Sequence, residues 1–365
     1  MASKNFKYLD ELIHSGAKEI VLDSDIVLSD GEESEYQEGI MLDIDELAID
    51  GNGYAIDAKG KTRLFQCTGK NITVKNIILK KGYAREKGGA IFNTGNLTIA
   101  ESTLNNNVTD WCGGAIFNTG KLTITESALN NNKSSTGGAL NSNGELTIIK
   151  STLNNNAAEW EGGAIYNDGG KLKIAESTFS GNAVNFSGGA IYNDHGSLSL
   201  TESSLQENTA QHIGVINNWK DPLKRTTEDL VGVNTSGGDG GAIYNKGKLT
   251  IAESTLNNNT SECYGGAIDN IFGKLTITDS TLNHNTAQKV GGAIRNLDAK
   301  LTITCSTLTG NTAQVYGGAI SLEKSKYNSK KCTFKDNEPD DVYKNSKLFT
   351  KLMLLIEEFV GKVSK

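Results

Sequence analysis

The chain has 365 residues, 43 of them acidic and 36 basic, for a formal net charge of −7. No Lys/Arg cluster coincides with an aromatic stripe, which argues against nucleic acid as a partner. Cys67, Cys112, Cys263, Cys305 and Cys332 lie far apart with no C-x-x-C pair, so the sequence indicates neither a metal cluster nor a disulfide framework, and no cofactor is expected.

Residues 1–38 read as an N-terminal cap. Phe6, Leu9, Leu12 and Ile13 fall on one face of a short helix ending at Gly16. Strands around 19–22 and 26–28 would follow, and the whole would close one end of an open β structure. This start has no long apolar core of the kind a signal peptide carries.

Residues 39–337 are dominated by a repeat. The phrase Gly-Gly-Ala-Ile-Phe-Asn at 88–93 returns at 113–118, 162–167, 188–193 and 240–245, with looser copies from Gly137, Gly265, Gly291 and Gly317. Successive copies are 24 to 26 residues apart, except for one gap of 52 between Gly189 and Gly241. A degenerate copy, Ile213–Asn218, is expected to fill that gap as a coil, with an inserted loop at 219–239 after it. Each period also carries Leu-Thr-Ile, as at 97–99, and Ser-Thr-Leu-Asn-Asn-Asn, as at 102–107.

Leu-x-Ile alternates apolar and polar with period two, the mark of a strand buried on one face. The Gly pair, the Asn run and the Thr-rich filling exclude helix. Three short strands separated by Gly and Asn corners describe one coil of a parallel β-helix. A lone coil cannot fold, because its roughly three inward apolar side chains contribute about 1.5–3 kcal/mol each. Ordering its backbone costs on the order of 25–50 kcal/mol. Stacking about twelve coils removes the deficit and gives an all-β, right-handed solenoid about 55–60 Å long.

Columns follow from the register. The third Asn of the triplet recurs at Asn107, Asn132, Asn156, Asn182, Asn208, Asn259, Asn285, Asn311 and Asn337. Asn tolerates a left-handed corner, and its amide can both donate and accept, so a hydrogen-bonded ladder is expected. A second Asn column runs from Asn93 through Asn118, Asn167, Asn193, Asn218, Asn245, Asn270 and Asn296. A Ser column from Ser102 to Ser306 continues as Cys332, which is therefore expected to be buried and inert. An acidic column at Glu101, Glu126, Glu176, Glu202, Glu253 and Asp279 should splay into solvent. The Asn-x-Ser/Thr matches at Asn107, Asn132 and Asn259 coincide with the ladder, where glycosylation would conflict with folding.

Residues 338–365 carry a helical stripe of Leu348, Phe349, Leu352, Leu355, Ile356, Phe359, Val360 and Val363. Lys351, Glu357, Glu358 and Lys362 interrupt it, so it should not span a membrane. It reads as a C-terminal amphipathic helix, either a cap, a self-association element or a surface anchor.

From about Glu38 to Asn337 the chain resembles the right-handed parallel β-helix repeats of adhesin-like proteins from methanogenic archaea. It is also similar to the Gly-Gly-Ala-Ile repeats of bacterial polymorphic outer-membrane proteins. The lead-in phrases Leu47–Gly53, Ile56–Lys61 and Gly69–Ile77 support the first comparison. The resemblance implies a surface-exposed role in binding glycans or surface proteins, an extracellular or cell-surface location, and no catalytic residues to carry over. The absence of a recognisable signal peptide or anchor leaves a cytoplasmic location open.

If Ile91 points inward, the next position points outward. That column reads Phe92, Phe117, Asn141, Tyr166, Tyr192, Asn217, Tyr244, Asp269, Arg295 and Ser321. Its aromatics Phe92, Phe117, Tyr166, Tyr192 and Tyr244, with Trp219 of the insertion, are the binding candidates, because rings at strand spacing could stack on sugars. Cross-coil stacking for its own sake is the competing account. The same alternation turns Ala90 and its equivalents outward, although they hardly vary. For catalysis, the alternative is a polysaccharide lyase or glycosidase using Asp168 and Asp194, which follow corresponding Asn residues in adjacent coils, with His195 beside them. A purely structural spacer is the third reading.

Overall fold

The computed structural model describes residues 3–211 and 237–345. Three parallel sheets of 12 strands each run the length of the molecule, with a fourth of nine strands. Their members recur in the same order in every coil, which makes a parallel β-solenoid of the right-handed type. The Leu-Thr-Ile phrases form one sheet, with Leu97 opposite Leu122 and Ile99 opposite Ile124. The Ile-Phe-Asn phrases form the second, and Thr-Leu-Asn the third. Leu97, Ile99, Leu104 and Ile91 all belong to one continuous core.

The fourth sheet, from Tyr83–Ala84 to Thr312–Ala313, consists of strands mostly two residues long that follow the Asn ladder. It adds a strand per coil to the three read from sequence.

The Gly-Gly-Ala-Ile phrase is a corner. Gly88 has φ +60, and a Cβ there would run into the Ile91 carbonyl. On Gly89 it would meet the Gly114 carbonyl of the next coil. Beyond the pair, the N–H groups of Ala90 and Ile91 both donate to the Ala115 oxygen, at 2.9 Å each. Two consecutive residues therefore turn inward together, and Ala90 and Ile91 are both fully buried. This corrects the outward placement of Ala90 and explains its constancy, since only a small side chain fits inside the corner.

Both Asn columns form. Asn182 Nδ2 donates to Asn208 Oδ1 at 2.9 Å and to the Leu153 carbonyl at 2.8 Å. Asn93 Nδ2 donates to Asn118 Oδ1 at 2.7 Å. Each Ser hydroxyl of its column accepts from the coil before, as Ser127 Oγ does from the Ser102 N–H at 3.0 Å. The left-handed corner, however, belongs to the residue before the ladder Asn: Asn106, Asn131 and Asn155 have φ 54, 57 and 55. A second left-handed corner falls on the acidic column, including Glu101 at φ 50 and Glu126 at φ 48, and turns those carboxylates into solvent.

The N-terminal helix Phe6–Ile13 is capped by Asn5, whose side chain accepts from the Tyr8 N–H at 3.1 Å. Its residues Phe6, Leu9 and Ile13 are fully buried against the first coil. Glu19–Val21 and Ile26–Val27 are the first strands of two of the long sheets.

The described coils on either side of the gap of 52 stack directly on each other. Ile191 pairs directly with Ile243, Leu198 with Leu249, and Ser204 with Thr255. No coil is interposed between these paired strands, and the degenerate copy at 213–218 expected there lies outside the described residues. Asn217, Asn218 and Trp219 lie outside the described residues, as does the stripe from Leu348 to Val363. Cys332 is only half-buried, because it sits in the last described coil with no further coil over it among the described residues.

Candidate binding face

One lateral face departs from the regular lattice. Between the fourth sheet and the Gly corner, two or three residues per coil fold across the outside of the Ile-Phe-Asn sheet. The residue just before each Gly pair joins its equivalents by backbone bridges, among them Lys87 to Cys112, Cys112 to Thr136 and Ser187 to Asp239. This rim stands over the column that the sequence offers for binding. Lys87 Nζ lies 5.1 Å from the Phe117 ring centre, and Asn141 Nδ2 donates to Thr136 Oγ1 at 3.2 Å.

The column is consequently less exposed than its alternation implies. Phe117, Tyr192 and Tyr244 retain only 8%, 6% and 9% of their accessible surface. Phe92 and Tyr166 are half-buried. Tyr166 stacks on Tyr192 at 5.2 Å between ring centres, and Tyr192 on Tyr244 at 4.8 Å. Burial raises the pKa of all three phenols, aided by neighbouring carboxylates. Lys246 closes the stack, donating to Tyr192 Oη at 2.7 Å.

Asp168 and Asp194 are partners on adjacent strands, as their spacing indicates. His195 occupies a left-handed corner at φ 57, with Nδ1 2.7 Å from Asp194 Oδ1. Tyr166 Oη donates to Asp194 Oδ2 at 3.5 Å, and Lys246 Nζ is 4.0 Å from Oδ1. Glu161, absent from the sequence candidates, feels the charges of both Asp194 and Lys246, and burial raises its pKa.

Further along the face the column turns ionic. Arg295 donates from Nε and one terminal nitrogen to the two carboxylate oxygens of the fully buried Asp269, each at 2.8 Å, and stacks 3.8 Å over the Tyr264 ring. Asp239, also buried, has no hydrogen-bond partner for Oδ1. Burial first and the Asp269 charge second raise its pKa. Two buried carboxylates share one guanidinium here, and Asp269 holds it. Among the described residues, no group of three or more His, Cys, Asp or Glu is arranged to hold a metal ion.

Two exposed aromatics, Trp111 and Trp160, lie on the rim. Trp111 keeps 51% and Trp160 38% of their surface accessible, and Trp160 packs on Phe186 at 4.7 Å between ring centres. The signal was present in the sequence: each stands two residues before the first glycine of its corner, at Gly113, Gly162 and Gly188.

Comparison with known proteins gives a likeness in sequence and a likeness in structure. The Chlamydia polymorphic membrane protein repeat matches residues 150–168, 176–194 and 306–323, each a stretch that runs from the region of the Ser column through the next Gly corner. Among solved structures, a mutant tailspike protein of E. coli bacteriophage HK620, in complex with a pentasaccharide, aligns with a TM-score of 0.39 at 10% identity. That alignment covers 89% of this chain and 68% of the tailspike chain. No curated protein sequence matches. The chain is a parallel β-helix repeat protein that resembles the repeats of bacterial polymorphic membrane proteins. Among the described residues, no helix is long and apolar enough to cross a membrane, which does not bear on β-barrels.

Proposed function

We propose that this chain is a non-enzymatic, adhesin-like β-helix that works at an outer cell surface and presents a long lateral face to glycans or surface proteins of another cell. The observation that carries the reading is where the regularity stops. The Asn, Ser and core columns are consumed in holding coil to coil, whereas side-chain identity changes from coil to coil on the rim before the Gly corner, where large aromatics remain exposed. Exposed aromatic surface on a rigid scaffold is the usual mark of an interaction site. The polymorphic membrane protein likeness agrees with a surface location.

A second reading, glycan cleavage, has one observation in its favour. Glu161 and Asp194 flank the same tyrosine pair, and burial raises the pKa of Glu161, the direction in which a general acid is tuned. A glycan array combined with a reducing-sugar assay separates the readings. Binding without cleavage is the expected result. Cleavage abolished by Glu161→Gln or Asp194→Asn would replace the adhesin reading with a hydrolytic one. Silence on the array, together with no adherence of protein-coated beads to cells, would overturn both and leave a spacer.

A further inference from the structure

We infer that the outside of the Leu-Thr-Ile sheet binds an acidic glycan, along a line of four lysines beside Phe272. Taking a glycan as the ligand rests on the adhesin-like reading; the face is a different one from the rim.

Lys248, Lys274, Lys300 and Lys326 open four consecutive strands of that sheet and pair in register, each with the next. All four are exposed. One coil step of about 4.8 Å separates neighbours, so the line is about 14 Å long and runs parallel to the solenoid axis. Like charges directly opposite each other on paired strands repel. Earlier coils relieve this in the same column, where Glu145 stands between Lys121 and Lys171. From Lys248 onward no carboxylate interrupts the line, and among the described residues none of the four lysines forms an ion pair. Asp298 stands at the near corner, two residues before Lys300. Glu253 and Asp279 lie five residues beyond their lysines, about 16 Å away at the far edge of the sheet, and that column continues as Cys305 and Lys331.

Phe272 supplies a second, independent signal. It occupies a left-handed corner at φ 56, two residues before Lys274, and keeps 71% of its surface accessible. Equivalent corners hold Gly169, His195, Asp298 and Lys324, each with a positive φ. Such a backbone suits Gly, Asn or Asp and disfavours a bulky ring. Phe272 buries little surface to offset that strain, so its place points to contact with something outside the chain.

Together the ring and the charges select the ligand. An exposed phenyl ring accepts the apolar face of a pyranose. The lysines accept carboxylate or sulfate groups on the sugars to either side of it. A pyranose in an extended polysaccharide advances by about one coil step, so a glycan with an anionic group on most of its sugars meets the line at matching intervals. Thr250, Thr276 and Thr302, half-buried at the next outward position of the same strands, offer hydroxyls to the sugar hydroxyls. One ring on a face otherwise of threonine, alanine and lysine provides no run of platforms for stacked bases, which disfavours nucleic acid.

The test titrates the full chain with hexagalacturonate and with a heparin hexasaccharide, using cellohexaose as the neutral probe and a hexadeoxynucleotide as the nucleic-acid probe. Binding of at least one acidic hexasaccharide is expected, weakened by added salt. It should fall about tenfold or more in the double variant Lys274→Gln with Lys300→Gln, and about fivefold in Phe272→Asn. Lys121→Gln, in the same column outside the line, should leave it unchanged. All these side chains are exposed and Asn suits the corner better than Phe, so melting should be unchanged or higher. Whichever acidic probe binds more tightly identifies the anionic group as carboxylate or sulfate. Equal binding of cellohexaose, or tighter binding of the oligonucleotide, would overturn the ligand. Acidic-glycan binding that survives the double lysine change would overturn the site, and binding indifferent to Phe272→Asn would overturn the role of the ring. If neither acidic hexasaccharide binds while protein-coated beads still adhere to cells, the inference fails and the adhesin reading stands.

Discussion

Asn193 and Asn245 are 52 residues apart in the chain, yet Asn193 Nδ2 donates to Asn245 Oδ1 across 2.7 Å. The ladder passes the insertion as if it were not there. The link that remains between Ala210 and Gly240, once 212–237 is set aside, is Gln211-Gly238-Asp239, as long as the rim segments 159–161 and 288–290 of ordinary coils.

Deleting 212–237 should therefore leave a folded solenoid. Loop entropy alone changes stability by about 1–2 kcal/mol at most. Thermal melting followed by circular dichroism checks this, and loss of the cooperative transition would mean that the insertion completes the stack.

Within the ladder, the Asn182 side chain makes four buried hydrogen bonds: two given, to Asn208 Oδ1 and the Leu153 carbonyl, and two accepted by Oδ1, from the N–H and Nδ2 of Asn156. Asn182→Ala should cost about 2–4 kcal/mol, because it strands buried partners on both sides. Its exposed neighbour Asn155, in the left-handed corner at φ 55, should cost only about 1 kcal/mol on the same change. Urea unfolding of the two variants gives the comparison, and equal losses would contradict the assignment of roles.

Glycines divide the same way. A Cβ on Gly163 would run into the Gly189 carbonyl of the next coil, a backbone atom that cannot move aside, so Gly163→Ala should cost more than about 3 kcal/mol or prevent folding. Gly169 has φ +70 with open space around it, and Gly169→Ala should cost about 1 kcal/mol. Soluble yield and melting temperature discriminate the two.

Asp239 should make stability depend on pH. Its ordinary pKa is 3.8, and burial beside Asp269 raises it in the folded chain. The folded state thus holds the proton more tightly than the unfolded one. The associated stability is complete below the ordinary carboxylate pKa and is lost as pH rises through the folded value. Melting temperature should fall between about pH 5 and about pH 8, and Asp239→Asn should flatten that slope. A variant with the wild-type slope would place the titration elsewhere.

The columns were legible because a repeat turns sequence spacing into spatial contact. Once Asn107 and Asn132 occupy equivalent positions, their side chains must meet, and the alternation of Leu97 and Ile99 fixes which face is core. The same logic placed the helix Phe6–Ile13 over the first coil, since its apolar stripe had one surface to cover. It failed at Ala90, where one carbonyl accepts two successive N–H groups and the strict alternation breaks.

The amino-acid sequence by itself determined the solenoid, its register and its ladders, because these depend only on contacts between identical positions one coil apart. Tertiary structure decided what covers the outside. Whether Tyr192 faces water or lies under Glu161 and Lys246 depends on how far a three-residue rim reaches across the sheet. The stack of 191 on 243 was likewise decided by backbone pairing, since an insertion of any length can leave and rejoin a coil without altering the repeat on either side. Trp111 and Trp160 combine both: their offset from the Gly corner is written in the chain, and the fold leaves both side chains exposed on the rim.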